Sequence, residues 1–151
     1  LEEIQARKQD HDFVIVYIHW GIERDESPQE YQRTMARQMI DAGADLIVGS
    51  HPHVLQGIEY YKGKGIVYSL GNFIFGSSIP RTTLLEVTWN LSGEEDSLPT
   101  LRLIPGTSSA GYTRMLTDAN QQEEFFQYME SISFDVKIGE DGILYPLLPH
   151  S

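Results

Sequence analysis

Three histidines stand at the ends of two apolar segments, and their types and spacing suit metal chemistry. His19 closes the run Phe13-Val14-Ile15-Val16-Tyr17-Ile18, while His51 and His53 follow Leu46-Ile47-Val48-Gly49-Ser50. If the two runs are neighbouring parallel strands, their carboxyl ends open on one edge of a sheet, which is where open α/β sheets place ligands. Adjacent strands lie ~5 Å apart, so imidazoles leaving their ends come within reach of one ion at ~2.1 Å or of an ion pair ~3.5–4 Å apart. Pro52 biases the residue before it toward extended backbone, so His51 and His53, two apart, are expected to share a side. Gly49 permits close backbone approach. A His-x-His tripeptide by itself is most often a surface loop; the third histidine, at the end of the preceding strand, brings a ligand role level with that reading. Gly49-Ser50-His51 lacks the second glycine of a nucleophile elbow, which argues against a serine hydrolase.

The segment between the runs must bring them side by side. Ser27-Pro28-Gln29-Glu30 reads as a helix start, with Ser27 as cap, Pro28 at the first helical position and Glu30 closing a capping box. Tyr31, Met35 and Met39 recur every four residues as an apolar stripe, and Gly43 offers a left-handed stop. The unit is strand-helix-strand, and such crossovers are right-handed with both strands in one sheet. Phe13 to Ile18 has no polar alternation, as expected of a parallel strand covered on both faces.

The remainder extends the unit with antiparallel pieces. Val54 to Tyr61 and Ile66 to Leu70 read as a hairpin around Lys62-Gly63-Lys64-Gly65, and Gly71-Asn72 interrupts the pattern before Phe73-Ile74-Phe75. Thr83 to Asn90 and Leu98 to Ile104 form a second hairpin around the acidic Ser92-Gly93-Glu94-Glu95-Asp96, whose spacing does not follow a calcium loop. Asp118 caps a helix with Gln121 at its third position and Phe125, Phe126, Met129 and Ile132 on its inner face. Phe134 to Tyr145, broken at Gly139-Glu140-Asp141-Gly142, is a last small hairpin, and His150 belongs to a loose terminal tail. The fold class is α/β: a parallel βαβ unit extended by antiparallel strands.

The 151 residues are one domain's worth of chain and suffice for a real core. No window in these residues approaches a membrane span or reads as a signal peptide, and if the parent protein is anchored or secreted its address is expected in the missing part. With no cysteine, disulfides and thiolate metal sites are excluded. A formal charge of −11 argues against nucleic acid as partner and against a broad basic groove for a polyanion.

The stretch from Asp12 to Phe75 resembles the second half of a CapA-type domain, the capsule or poly-γ-glutamate synthesis family related to calcineurin-like metallophosphoesterases. The residues that carry the resemblance are His19-Trp20-Gly21-Ile22-Glu23, the run from Ile40 to Val54 with Gly49-Ser50-His51-Pro52-His53, Gln56-Gly57, and Tyr68-Ser69-Leu70-Gly71-Asn72-Phe73-Ile74-Phe75. Ser50 between Gly49 and His51 is the CapA-type form of the wider group's Gly-His-x-His. The resemblance implies one half of a four-layer α-β-β-α sandwich. It implies His19, His51 and His53 as ligands of divalent metal (Mn, Zn, Mg or Fe, binuclear in the full-length protein), with His19 also a catalytic candidate. Glu23, Ser69 and Asn72 are then supporting or substrate-facing groups, Glu23 and Asn72 among the catalytic candidates.

Those domains open with an aspartate-bearing strand end and amide-rich segments that complete the site, and none precedes Phe13 here. The chain, starting on the polar helix Leu1 to Lys8, is therefore expected to be the carboxyl-terminal portion of a longer domain, inactive alone and prone to self-association through its uncovered edge. The implied function is a metal-dependent hydrolase or transferase acting on an anionic polymer or phosphoester beside other capsule synthesis proteins at the cell surface. The alternatives are a non-catalytic accessory subunit of a polymer synthesis and export assembly, and a plain binding module without metal.

Overall fold

The computed structural model describes residues 1–90 and 98–147. Helix α1 (Glu2–Asp10) leads into β1 (Ile15–His19), α2 (Glu30–Asp41) and β2 (Leu46–Ser50). Strands β3 (Ile58–Tyr61), β4 (Lys64–Val67), β5 (Ile79–Thr88), β6 (Thr100–Ser109) and β7 (Tyr112–Met115) follow, then α3 (Ala119–Ile132), β8 (Val136–Ile138) and β9 (Leu144–Pro146). The main sheet has the order β1-β2-β4-β3, with β1, β2 and β4 parallel and β3 antiparallel to β4. A second, antiparallel sheet runs β5-β6-β7, and β8 pairs with β9. The expected α/β class, with a parallel βαβ unit and antiparallel extensions, is what the chain forms.

Two apolar cores hold these layers. On one face of the main sheet, Ile47 and Ile66 meet Ala36 and Ile40 of α2, with Trp20 and Tyr68 beside them. On the other face Leu46, Val48 and Val67 pack against Leu101 and Leu103 of β6 and Phe125, Phe126 and Met129 of α3. Gly65 makes the close approach possible, because a Cβ there would lie 2.4 Å from Leu101 Cδ1.

Helix α2 departs from the expected start and stripe. It begins at Glu30, capped by Gln29 rather than Ser27, and the capping box is built from two amides, Gln29 and Gln32. Gln29 is drawn into this role because its Nε2 also donates to Asp25 Oδ2 at 2.7 Å. The buried face is Gln32-Ala36-Ile40, one position on from Tyr31-Met35-Met39; Tyr31 and Met35 are exposed. Small Ala36 lets the helix settle on the sheet, and Gln32 is tolerated inside because its amide is satisfied. The Gly43 stop forms as expected, at φ +115° with its amide bonded to the Ile40 carbonyl.

Strand β1 is likewise not covered on both faces. It is the sheet's edge, and Ile15 and Tyr17 stand 50% and 71% exposed on its open face. The first hairpin forms around Lys62-Gly63, both at positive φ, as two-residue turns require. Phe73-Ile74-Phe75 does not continue a strand but lies in an exposed loop. The second hairpin pairs Thr88 with Thr100, while its acidic turn lies outside the described residues, as does His150. Strand β7 had no counterpart in the sequence reading, since Pro105-Gly106 breaks the pattern that leads to it. Helix α3 starts as expected, Asp118 Oδ1 accepting from the Gln121 amide at 3.0 Å.

Asp45 ties α1 and the strand ends together. Its carboxylate accepts from Lys8 Nζ at 2.9 Å and the Val14 amide at 2.8 Å, and pairs with Lys64 at 3.0 Å. Burial, the largest single influence, works to raise its pKa, but these bonds outweigh it and hold the carboxyl below its ordinary value. A depressed folded-state pKa contributes stability above the unfolded value, ~3.9, that is lost as pH falls through the folded one. Stability should therefore decline below about pH 4, and Asp45→Asn should be less stable at neutral pH with a shallower acid slope, as read by urea denaturation across pH. At Gly49 a Cβ would lie 2.0 Å from the Tyr68 carbonyl oxygen and 2.5 Å from Trp20 Nε1. Gly49→Ala should cost on the order of 3 kcal/mol, about 10 °C in Tm by calorimetry.

Candidate metal centre

The carboxyl ends of β1, β2 and β4 are clamped to one another by their own residues. His19 pairs with Ser50 in register, the Trp20 amide donates to the Ser50 carbonyl at 3.0 Å, and the Leu70 amide donates to that of Gly49 at 3.3 Å. Trp20 then reaches across Gly49, its Nε1 donating to the Tyr68 carbonyl at 2.9 Å. His19 closes β1, and the loops after the three strands carry Glu23, then His51 and His53, then Asn72.

Glu23, His51 and His53 converge: one ligand atom of each lies within 4.8 Å of the others. His51 is half-buried, and Glu23 and His53 are exposed. His19 lies beside them, its ring centroid 4.4 Å from that of His51. The two loop histidines do not reach this arrangement by extended backbone. His51 has φ +102° and His53 φ +62°, both in the left-handed region that side chains with a Cβ rarely adopt. Pro52 is buried, so the tripeptide turns around a fixed proline with His51 half-buried and His53 exposed on either side of it. Such backbone persists only where the surroundings over-determine it, and it clusters at functional sites.

Asn72 and Ser69 take different places. Asn72 Oδ1 accepts from His53 Nδ1 at 2.8 Å, which keeps the ring proton on Nδ1 and leaves Nε2 as the free lone pair. Ser69 is fully buried and faces no substrate; its hydroxyl donates to the Val54 carbonyl at 2.8 Å and accepts from the Gly71 amide at 3.1 Å, holding the histidine and asparagine loops together. Thr82 of β5 braces Asn72 from behind, donating to its carbonyl at 2.9 Å.

The Glu23 loop is fixed by side-chain amides whose role the sequence did not disclose. Gln56 Nε2 donates to the Asp25 carbonyl at 2.8 Å, Gln32 Nε2 to Gln56 Oε1 at 3.0 Å, and the Arg24 amide to the Pro52 carbonyl at 2.7 Å. Gln32 and Gln56 are completely buried, so this network is specific rather than solvated. Two imidazoles and a carboxylate with a bonded outer partner are a donor set that fits a divalent ion such as Zn²⁺, Mn²⁺ or Fe²⁺. Beside it opens a cleft of about 480 Å³ whose lining includes Glu23, His53, Asn72, Arg24, Arg81 and Tyr128. The last three were not singled out from the sequence, for they come from a loop, β5 and α3 and share no motif.

Known proteins give this geometry a context. Residues 1–77 match the family of the bacterial capsule synthesis protein PGA_cap. The chain is 54% identical over 79 residues to the PGA biosynthesis protein CapA of Bacillus subtilis, covering 52% of this chain and 21% of that protein. It is 51% identical over 76 residues to the capsule biosynthesis protein CapA of Bacillus anthracis, covering 50% and 18%. A probable polyglutamine synthesis accessory protein of Mycobacterium tuberculosis is 33% identical over 72 residues, covering 48% and 19%. The matched region thus spans about a fifth of these relatives. With a family match over half its length and motifs that the fold brings to one sheet edge, the chain belongs to the bacterial capsule synthesis protein family, as a CapA-type member.

Proposed function

We propose that this chain supplies the floor of a divalent-metal site of the metallophosphoesterase type, used for hydrolysis or transfer in a protein of poly-γ-glutamate capsule biosynthesis. The observation that carries the reading is the convergence of Glu23, His51 and His53 on two strained loop positions. His51, His53 and Glu23 would hold the ion, with His19 as a fourth ligand or a proton carrier at the rim. A bound divalent ion, or a pair completed by residues of a longer protein, supplies Lewis acidity there. The chain's own contributions are orientation and charge. Asn72 holds the proton at His53 Nδ1, Glu23 brings the negative charge that two neutral imidazoles lack, and His19 stands beside His51 for general acid work. The substrate class is an anionic polymer or a phosphoester.

The full-length protein is proposed to complete a four-layer α-β-β-α sandwich over this half and to work at the cell surface, where capsule is made, beside other capsule synthesis proteins. A second reading, a non-catalytic accessory subunit that keeps the site for structure or binding, draws on the accessory role in the printed name of the mycobacterial relative. Among the described residues no helix is long and apolar enough to cross a membrane. The open edge and exposed Ile15 and Tyr17 of β1 support self-association.

Titration of the metal-free chain with Zn²⁺ and Mn²⁺ by calorimetry should give stoichiometric binding that His51→Ala/His53→Ala abolishes and Asn72→Ala weakens about 10- to 100-fold. No binding of either ion would remove the proposal. In the full-length protein the same double substitution should end turnover while the fold persists if the site is catalytic; loss of Tm together with metal would favour the accessory reading. His51→Gly should be more stable than His51→Ala by about 1 kcal/mol, a few degrees in Tm, because glycine relieves the backbone at φ +102°. Sedimentation at high protein concentration should show dimers that Tyr17→Lys returns to monomer; monomer throughout would refute association through β1.

A further inference from the structure

The cleft beside the histidines carries a second feature, to which the chain beyond residue 77, where the family match ends, adds Arg81 and Tyr128. Among the described residues every lysine and arginine except Arg24, Arg81 and Arg114 is paired with a carboxylate. Two of these three, Arg24 and Arg81, line the same cleft. In a chain of net charge −11, two guanidinium groups without a carboxylate partner lining one cleft run against the overall field.

Both arginines are set in place. Arg24 sits at φ +63°, its amide bonded to the Pro52 carbonyl of the histidine loop, so its position is fixed relative to His51 and His53. The Arg81 guanidinium lies over the Tyr128 ring, 4.0 Å from the centroid. Tyr128 is held in turn, its hydroxyl donating to Glu26 Oε1 at 2.8 Å, a contact that joins α3 to the loop after β1. Burial, and then this bond to the Glu26 carboxylate, push the Tyr128 pKa up, so the phenol stays neutral. A guanidinium stacked on a ring keeps its N–H edges free for in-plane, bidentate recognition of an oxyanion. Of the two carboxylates on the cleft, Glu26 is engaged by Tyr128, and Glu23 lies within 4.8 Å of ligand atoms of His51 and His53. Ser77 and Ser78 add hydroxyls to the lining.

We infer that Arg24 and Arg81, the latter carried on Tyr128, form an oxyanion subsite of the cleft that holds a carboxylate or phosphate group of the ligand beside the Glu23-His51-His53 cluster. The inference deepens the metal-site reading by naming what the neighbouring wall recognises, yet its ligand contacts require no ion. Arg24 and Arg81 fix the ligand's register, and Tyr128 and Glu26 are positioning residues that act through Arg81.

The test is titration of the ¹⁵N-labelled chain, metal-free and then with Zn²⁺, with inorganic phosphate and separately with a short γ-glutamyl peptide, following the arginine Nε–H signals. Both Arg24 and Arg81 signals should shift with a common saturation curve, and the more tightly bound probe identifies the source of the oxyanion. Arg24→Gln and Arg81→Gln should each weaken that probe about tenfold or more, whereas Arg114→Gln, which removes the unpaired arginine outside the cleft lining, should leave it unchanged. Tyr128→Leu should weaken binding while Tyr128→Phe retains most of it, since the ring is what carries Arg81. Equal losses in the Arg114 variant, or no shift with either probe, would overturn the subsite. Zn²⁺ affinity measured on the same variants separates the two readings. Unchanged metal binding with lost anion binding is the expected result, and anion binding by a chain that takes up no ion would leave the subsite standing without the metal.

Discussion

The site depends on the contact over Gly49. Three parallel strands end side by side there, and the middle one has no side chain at the point where the Trp20 indole crosses it to reach the Tyr68 carbonyl. That hydrogen bond spans β2 and couples the chain just past β1 to the chain just past β4. Everything beyond it inherits its spacing, including Ser50 in register with His19, the turn around Pro52, and the Ser69 hydroxyl that joins the third loop to the second. A buried indole bonded to a carbonyl is directional as well as apolar, so the three loops are fixed in angle and not only in distance.

From that clamp the charge pattern can be followed outward. The loop holding Glu23 has no regular structure to position it, and the burial of two glutamine amides substitutes for it. Buried amides are stabilising only when fully bonded, and these are, through Gln29, Gln32, Gln56 and the Asp25 carbonyl. Polar residues inside α2 thus serve the site, which explains why the helix turns Gln32 rather than Tyr31 toward the sheet. Tyr31 instead uses its hydroxyl, accepting from the Gly21 amide at 2.7 Å.

The sequence made legible those features that depend on local spacing: the crossover, the Gly43 stop, a hairpin turning after Tyr61, the Asp118 cap and the meeting of His19, His51 and His53 at one edge; Glu23 and Asn72 came only through the family resemblance. It misled where a local rule was overridden. Pro52 argued for extended neighbours, yet bonds such as that from the Arg24 amide to the Pro52 carbonyl hold the tripeptide in a turn with both histidines left-handed. Apolarity argued that β1 was covered twice, but sheet order, which no single strand encodes, put it at the edge. The cleft wall was invisible because Arg24, Arg81 and Tyr128 are adjacent only through tertiary packing.

The bond between Tyr128 and Glu26 joins residues 102 positions apart, one inside the family match and one beyond it. The bond therefore locks the later part of the chain onto the part that the family match covers. The first 77 residues carry the histidine edge, and the strand and helix that follow supply Arg81 and Tyr128 to the cleft beside it. On the proposed reading, changes along α3 and the start of β5 would alter what the cleft accepts while leaving the main sheet and its histidines as they are.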